Sequence, residues 1–151
     1  MLKYTYSDFI TDLPRLANQC QAFAPQLILP IARGGLTLGH ALAMALNVRD
    51  IQSIQVSSYD DTIQRETLNI QGFQNLQLPS RVLLVDDIVD TGATLHHLLP
   101  LLHEHYPKTD FHTAALFTKQ SAKVQPDFSL HEAHEWIEFF WEHDFLNLGA
   151  L

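Results

Sequence analysis

Three carboxylates within five positions, Asp86, Asp87 and Asp90, are followed at once by Thr91-Gly92-Ala93-Thr94. They come directly after Val82-Leu83-Leu84-Val85, an apolar run without polar alternation that suits a parallel strand buried on both faces. Open α/β sheets place their ligands at the carboxyl ends of such strands. The small side chains of 91–94 let backbone N–H groups close on a phosphate at the amino end of the next helix, with the helix dipole assisting. The carboxylates suit sugar hydroxyls and a metal ion. The stretch therefore fits a sugar phosphate, whereas an ordinary strand–helix corner gives no reason for three aspartates there.

Other candidates lie apart in sequence. Arg33-Gly34-Gly35 follows the apolar Leu27–Ile31 and opens a helix; paired glycines let backbone approach an anion, and Arg33 adds charge and directional donors. Lys119 stands just past an apolar strand, again at the carboxyl edge. Tyr59, Asp60, Asp61 and Arg65 fall in 57–72, a polar, non-periodic stretch long enough to be a lid. Trp136 opens an aromatic cluster and reads equally as a core residue or as an exposed ring, with Phe139, Phe140 and Trp141 read as core. The nine histidines include His96-His97, His103 with His105, and His131 with His134. Zinc needs three or four converging ligands, so these are read as surface residues. Cys20 reads as a small core residue of the first helix.

The elements that must position these groups alternate in type. A helix capped by Ser7 runs to about residue 22, broken or kinked at Pro14. Strand 27–31, a turn at 32–35, helix 36–46 and strand 51–56 follow. Residues 76–79 lead into strand 82–86, then a helix from 94 to about 105 with a kink at Pro100, and strand 111–117. The tail 121–151 reads as irregular, with 136–141 strand-like. Strands alternating with helices predict an α/β fold with a doubly wound, mostly parallel sheet.

The 82–95 segment resembles the PRPP-binding signature of the type I phosphoribosyltransferases. In their purine-salvage branch the likeness extends to Ile31–Leu36, Ser57–Asp60 with Gln64–Glu66, Leu116–Lys119 and Glu135–Glu138, in the same order and at similar spacing. The resemblance implies transfer of the 5-phosphoribosyl group from PRPP to N9 of an oxopurine (guanine, xanthine or hypoxanthine), with release of pyrophosphate. It implies that Asp86 and Asp87 hold the ribose hydroxyls, with Asp87 at Mg²⁺ or its water shell. Asp90 would stand near purine N7 as the general base, and Thr91, Gly92, Ala93 and Thr94 would hold the 5-phosphate. Arg33, Gly34 and Gly35 would bind pyrophosphate, with Ala32–Arg33 cis, and Arg65 would contact it from the lid at about 57–72. Lys119 would meet the 6-oxo group and Trp136 would stack on the base. The Ile137 backbone would meet the 2-substituent. A hood of about 119–151, with part of the amino end, would carry the base-binding elements. Phe139 and Phe140 stand where some relatives have polar or proline residues, which leaves the three oxopurines unranked.

The length of 151 residues suits one domain, 1–151, and 46% hydrophobic residues suit a full core. A formal net charge of −8 argues against nucleic acid as the main partner. No apolar run is long enough to span a membrane, and the amino end has no signal-type hydrophobic stretch. A lone cysteine excludes an internal disulfide and fits a reducing cytoplasm. The resemblance adds a homodimer or homotetramer. Two rivals share part of the pattern. A non-catalytic PRPP-binding regulator keeps the 82–95 signature but has no need of Lys119, Trp136 and Arg65. A phosphoacceptor receiver domain puts its aspartate pair after the first strand, whereas here the pair lies past mid-chain.

Overall fold

The computed structural model describes residues 1–60 and 66–148. In chain order its elements are β1 (Leu2–Tyr4), α1 (Tyr6–Cys20), β2 (Leu27–Ala32), α2 (Leu36–Ala45), β3 (Asp50–Ile51), β4 (Ile54–Asp60), β5 (Glu66–Gln71), β6 (Arg81–Val85), β7 (Ile88–Val89), α3 (Ala93–His105), β8 (Asp110–Thr118), β9 (Phe128–Glu132), β10 (Ile137–Phe139) and α4 (Phe140–Leu146). The main sheet runs β5-β4-β2-β6-β8-β7, with β3 also on β2 and β9 also on β8. Every pairing in it is parallel except β4 with β5. β1 and β10 form a separate parallel pair.

The unalternating strands are buried on two sides because period-2 geometry sends successive side chains to opposite faces. Ile28, Leu83 and Val85 pack with Leu16, Cys20, Leu38 and Leu42 of α1 and α2. Leu27, Leu29, Val82 and Leu84 pack with Leu95, Leu98 and Leu102 of α3. Helices thus cover both faces, as doubly wound topology requires. Cys20 is fully buried on α1. Pro30 sits in the centre of the sheet, where proline is rare because it has no N–H to donate. β2 meets β3 through Leu27 and Ile28 and meets β4 from Ile31 onward, so the missing donor falls between two short pairings.

Local signals differ from expectation in four places. Thr5, not Ser7, caps α1: its hydroxyl accepts the Asp8 N–H at 3.1 Å while the Asp8 carboxylate accepts the Thr5 N–H at 2.8 Å. α1 is not broken at Pro14 but continues through it to Cys20, because the apolar face on either side is buried. The described parts of 57–72 belong to an antiparallel ribbon, β4 against β5, with Gln55 opposite Gln71 and Ser57 opposite Asn69 on one face and Val56 opposite Ile70 on the face that packs on the core; so short an apolar pattern, broken by Ser57 and Ser58, is hard to tell from a loop. Asp61 and Arg65 lie outside the described residues, as do 149–151. The 121–151 region is largely regular, holding β9, β10 and α4, and Trp141 is helical rather than strand-like.

Candidate functional site

Strand β6 ends at Val85, but its ladder with β8 continues through the aspartates. The Asp86 N–H donates to the Ala114 carbonyl at 3.1 Å, and the Asp87 carbonyl accepts the Leu116 N–H at 3.0 Å. The carboxylates are therefore held on the sheet itself. Asp86 Oδ1 accepts the Asp87 N–H at 2.9 Å and Asp87 Oδ1 accepts the Ile88 N–H at 2.7 Å. Burial, reinforced by the Asp87 charge, holds the Asp86 carboxyl well above the usual carboxylate range, and burial raises Asp87 too. Among the described residues neither has an ion-pair partner.

The β2–α2 turn closes over this pair. Its Ala32–Arg33 peptide is cis. Arg33 is exposed, and a Cβ on Gly34 would stand 2.6 to 2.9 Å from the Asp87 carboxylate atoms. Gly34 is what allows the turn to lie against Asp87. Gly35 serves another purpose: a Cβ there would drive into the carbonyl oxygens of Val85 and Ile31, so it seats the start of α2 on the sheet. An open hollow of about 530 Å³ lies between this turn and α4, lined by Arg33, Gly34, Thr37, Trp141 and Glu142.

Gly92 begins α3 in the left-handed region, at φ 82°, and no side chain caps the helix. Thr91 Oγ1 accepts the Ala93 N–H at 3.1 Å. Among the described residues the remaining first-turn amides are left as free donors at the helix amino end, where an anion would be favoured. The turn is backed by the 119–125 segment: the Lys123 N–H donates to the Thr91 carbonyl at 2.8 Å, and a Cβ on Gly92 would stand 2.7 to 2.8 Å from the backbone nitrogens of Val124 and Lys123. Lys119 is tied in by its own N–H, which donates to the Val89 carbonyl at 2.9 Å. Its ammonium lies 2.5 Å from Asp90 Oδ1. Two residues from different strand ends thus meet beside the phosphate-type turn.

Trp136 is 71% exposed, whereas Phe139 and Trp141 are buried in the aromatic core. The Leu2 N–H donates to the Trp136 carbonyl at 2.8 Å, and Leu2 is in register with Ile137. In a parallel pair this turns the N–H and C=O of Ile137 away from β1, toward a side where no strand of the described residues pairs with β10. A model of the phosphoribosyl transferase domain matches residues 10–146. The chain belongs to the phosphoribosyltransferase family. Over 118 residues it is 35% identical to xanthine-guanine phosphoribosyltransferase of Idiomarina loihiensis, covering 76% of this chain and 70% of that protein. The structure of xanthine-guanine-hypoxanthine phosphoribosyltransferase from Helicobacter pylori superposes with a TM-score of 0.88 at 34% identity, covering 99% of both chains. Purine phosphoribosyltransferase from Pyrococcus horikoshii gives 0.81 at 28% identity, covering 94% of this chain and 95% of that one.

In this phosphoribosyltransferase three features escaped the sequence reading. The contact of Gly34 with Asp87 depends on β2 and β6 being neighbours. Glu142 faces the same cleft; burial, then repulsion from Asp87, pushes its carboxyl above the ordinary range, while Arg33 draws it down. No spacing in the sequence marks it. The third is a correction: His131 is not a free surface residue. It is half-buried, with Nε2 2.6 Å from the buried carboxylate of Asp12. His112 is half-buried as well, stacked on Phe23 at 3.8 Å between ring centres, while the other seven histidines are exposed.

Proposed function

We propose that this phosphoribosyltransferase moves the 5-phosphoribosyl group of PRPP to N9 of guanine, xanthine or hypoxanthine and releases pyrophosphate. The meeting of Asp90 with Lys119 at 2.5 Å carries this reading. An oxopurine shows an acceptor at O6 next to N7, and a lysine donor paired with an aspartate beside a phosphate seat complements that edge. Thr91, Gly92, Ala93 and Thr94 hold the 5-phosphate, and Asp86 and Asp87 the ribose hydroxyls. Arg33 and Gly34 take the pyrophosphate, with Arg65 as a further contact. Trp136 stacks on the base and the outward-facing backbone of Ile137 meets its 2-substituent. Bond breaking at C1 leaves oxocarbenium charge on the ribose; Asp90 receives or shares the proton lost from the purine as N9 attacks. The protein acts by orienting the partners and holding charge in place.

A buried carboxylate, Asp87, beside the half-buried Asp86, with no cationic partner among the described residues, fits a divalent ion, and Mg²⁺ needs only one or two such ligands because it keeps several waters. Asp87 would hold Mg²⁺, with Asp86 beside it; the ion supplies charge neutralisation for the departing pyrophosphate. Residues 1–151 act as one catalytic unit, read as a cytoplasmic homodimer or homotetramer; no helix among the described residues is long and apolar enough to cross a membrane.

The deciding experiment is kcat/KM for guanine, xanthine, hypoxanthine and adenine with PRPP and Mg²⁺. A buried donor left unpaired costs about 1–3 kcal/mol, so oxopurines should exceed adenine by roughly tenfold to a few hundredfold. Lys119→Met should lower oxopurine activity and leave PRPP affinity intact. Equal use of adenine would sink the Lys119 assignment, and transfer to no base would favour a PRPP-binding regulator.

A further inference from the structure

The strand that bears Ile137 is attached to the rest of the molecule in an unusual way. β10 pairs only with β1, so no backbone ladder among the described residues joins this clip to the main sheet. Backbone bonding from β8 reaches only as far as Ala133, whose N–H donates to the Thr118 carbonyl at 2.9 Å; beyond it, the position of Trp136 and Ile137 relative to β8, which leads to Lys119, is set by side chains. Tyr4 of β1 is 4% exposed and packs edge-on against Phe117 of β8 and Phe139 of β10, at 5.4 and 5.6 Å between ring centres. Aromatic packing of this kind holds the clip close but tolerates sliding.

A single carboxylate removes that freedom. Asp12 of α1 is 5% exposed, and its Oδ2 accepts the Tyr4 hydroxyl at 2.8 Å. The same oxygen lies 2.6 Å from His131 Nε2 of β9, while Oδ1 accepts the Arg15 guanidinium at 3.1 Å. His131 in turn is in register with Phe117, and their rings lie 5.0 Å apart. Asp12 therefore connects the clip, α1 and the outer edge of β8. Lys3, Asp8 and Glu132 line a small hollow of about 320 Å³ on its open flank, so neighbouring side chains do not wedge the clip in place from that side.

We propose that Asp12, acting through Tyr4 and His131, is a positioning residue for the purine: it sets the clip that carries Trp136 and Ile137 at a fixed distance from Lys119. The inference rests on the assignment of Trp136 and Ile137 to the base. A misplacement of about 1 Å is enough to weaken a contact that must be made directionally. PRPP binding should change less, because among the described residues its proposed contacts belong to the turn after β2, the end of β6 and the start of α3, and none belongs to β1 or β10.

Three variants test it, each with KM measured separately for PRPP and for the best oxopurine. Tyr4→Phe and Asp12→Asn should each raise KM for the base about fivefold, the factor that corresponds to one ordinary hydrogen bond, with KM for PRPP and kcat within about twofold. Asp12→Asn keeps the size but loses the charge and replaces one acceptor oxygen with an NH2 donor, so it cannot serve Tyr4 and His131 on one side and Arg15 on the other; His131→Gln, on a half-exposed side chain, serves if that variant does not fold. Trp136→Ala is the control. If it raises base KM while the Tyr4 and Asp12 or His131 variants change neither KM, or change both together, the positioning role is overturned. If Trp136→Ala itself leaves base KM unchanged, the clip is not the base site and the proposal falls with that assignment.

Discussion

A carboxylate is a poor choice for the end of a buried strand unless its charge is needed there. Asp86 illustrates the conflict: burial and the adjacent Asp87 both disfavour its ionised form. A group whose folded pKa is raised lowers stability as pH rises through the gap between its unfolded and folded values, so at neutral pH the pair destabilises the unliganded chain. Asp86→Asn should raise Tm at pH 7, by roughly 2–4 °C for each kcal/mol relieved, while lowering PRPP affinity; thermal melts with and without PRPP and Mg²⁺ check both halves. Asp90 is different, since it is exposed and paired with Lys119. Asp90→Asn should bind PRPP nearly as before yet lose about 100-fold or more in kcat, measured under saturating substrates. The glycines separate in the same manner. Gly34→Val pushes on the Asp87 carboxylate and should raise KM for PRPP with a modest loss of Tm, whereas Gly35→Ala meets fixed carbonyl oxygens and should reduce soluble, folded protein. An unchanged KM for PRPP in Gly34→Val would assign that glycine to packing as well. The residues of 86–94 were legible in sequence because they are contiguous and follow one strand. The distinction between Gly34 and Gly35 was not, since it exists only once Pro30 lies beside Val85.

Among the elements, helix α1 shows how a few atoms decide a boundary. Thr5 and Asp8 cap it reciprocally, and the two bonds from Thr5 hold the Asp8 carboxyl below its ordinary range. A lowered folded pKa stabilises the protein above the unfolded value and is lost as pH falls through the folded one, so this contribution fades below about pH 4. Thr5→Ala should cost about 1 kcal/mol, roughly 2–4 °C in Tm, at pH 7. The difference between the two proteins should shrink by pH 3; a constant difference would mean that the cap is not the source. Parallel strands and helices with an apolar stripe were readable because burial imposes a period on sequence. Elements outside the core carry no such imprint. Past Ile54 the β4–β5 ribbon sets only Val56 and Ile70 against the core, and β9 has no fully buried residue, so both resemble loops as letters. Trp136 to Trp141 resemble a strand for the opposite reason: their aromatics pack from a short strand and the first turn of α4 alike.

Across the whole molecule, Cys20 offers a reporter of global opening. It is fully buried between α1 and the sheet, and burial pushes its thiol up to about 12. The native protein should resist alkylation at pH 8, with labelling that follows the unfolded population, rises with denaturant and slows when PRPP and Mg²⁺ are added. Prompt labelling without denaturant would show that α1 opens by itself. The molecule also joins two tasks that could have been kept apart. The 119–125 segment, reached through Lys119, is bonded at Lys123 to the turn proposed to seat phosphate, and Gly92 leaves no room between them. An insertion in 119–125 would therefore disturb phosphate and base binding together, whereas the 133–139 segment touches neither Thr91 nor Gly92 through any such bond. If the proposed base site is right, preference among purines is open to change through the clip but not through lengthening the loop that follows Lys119.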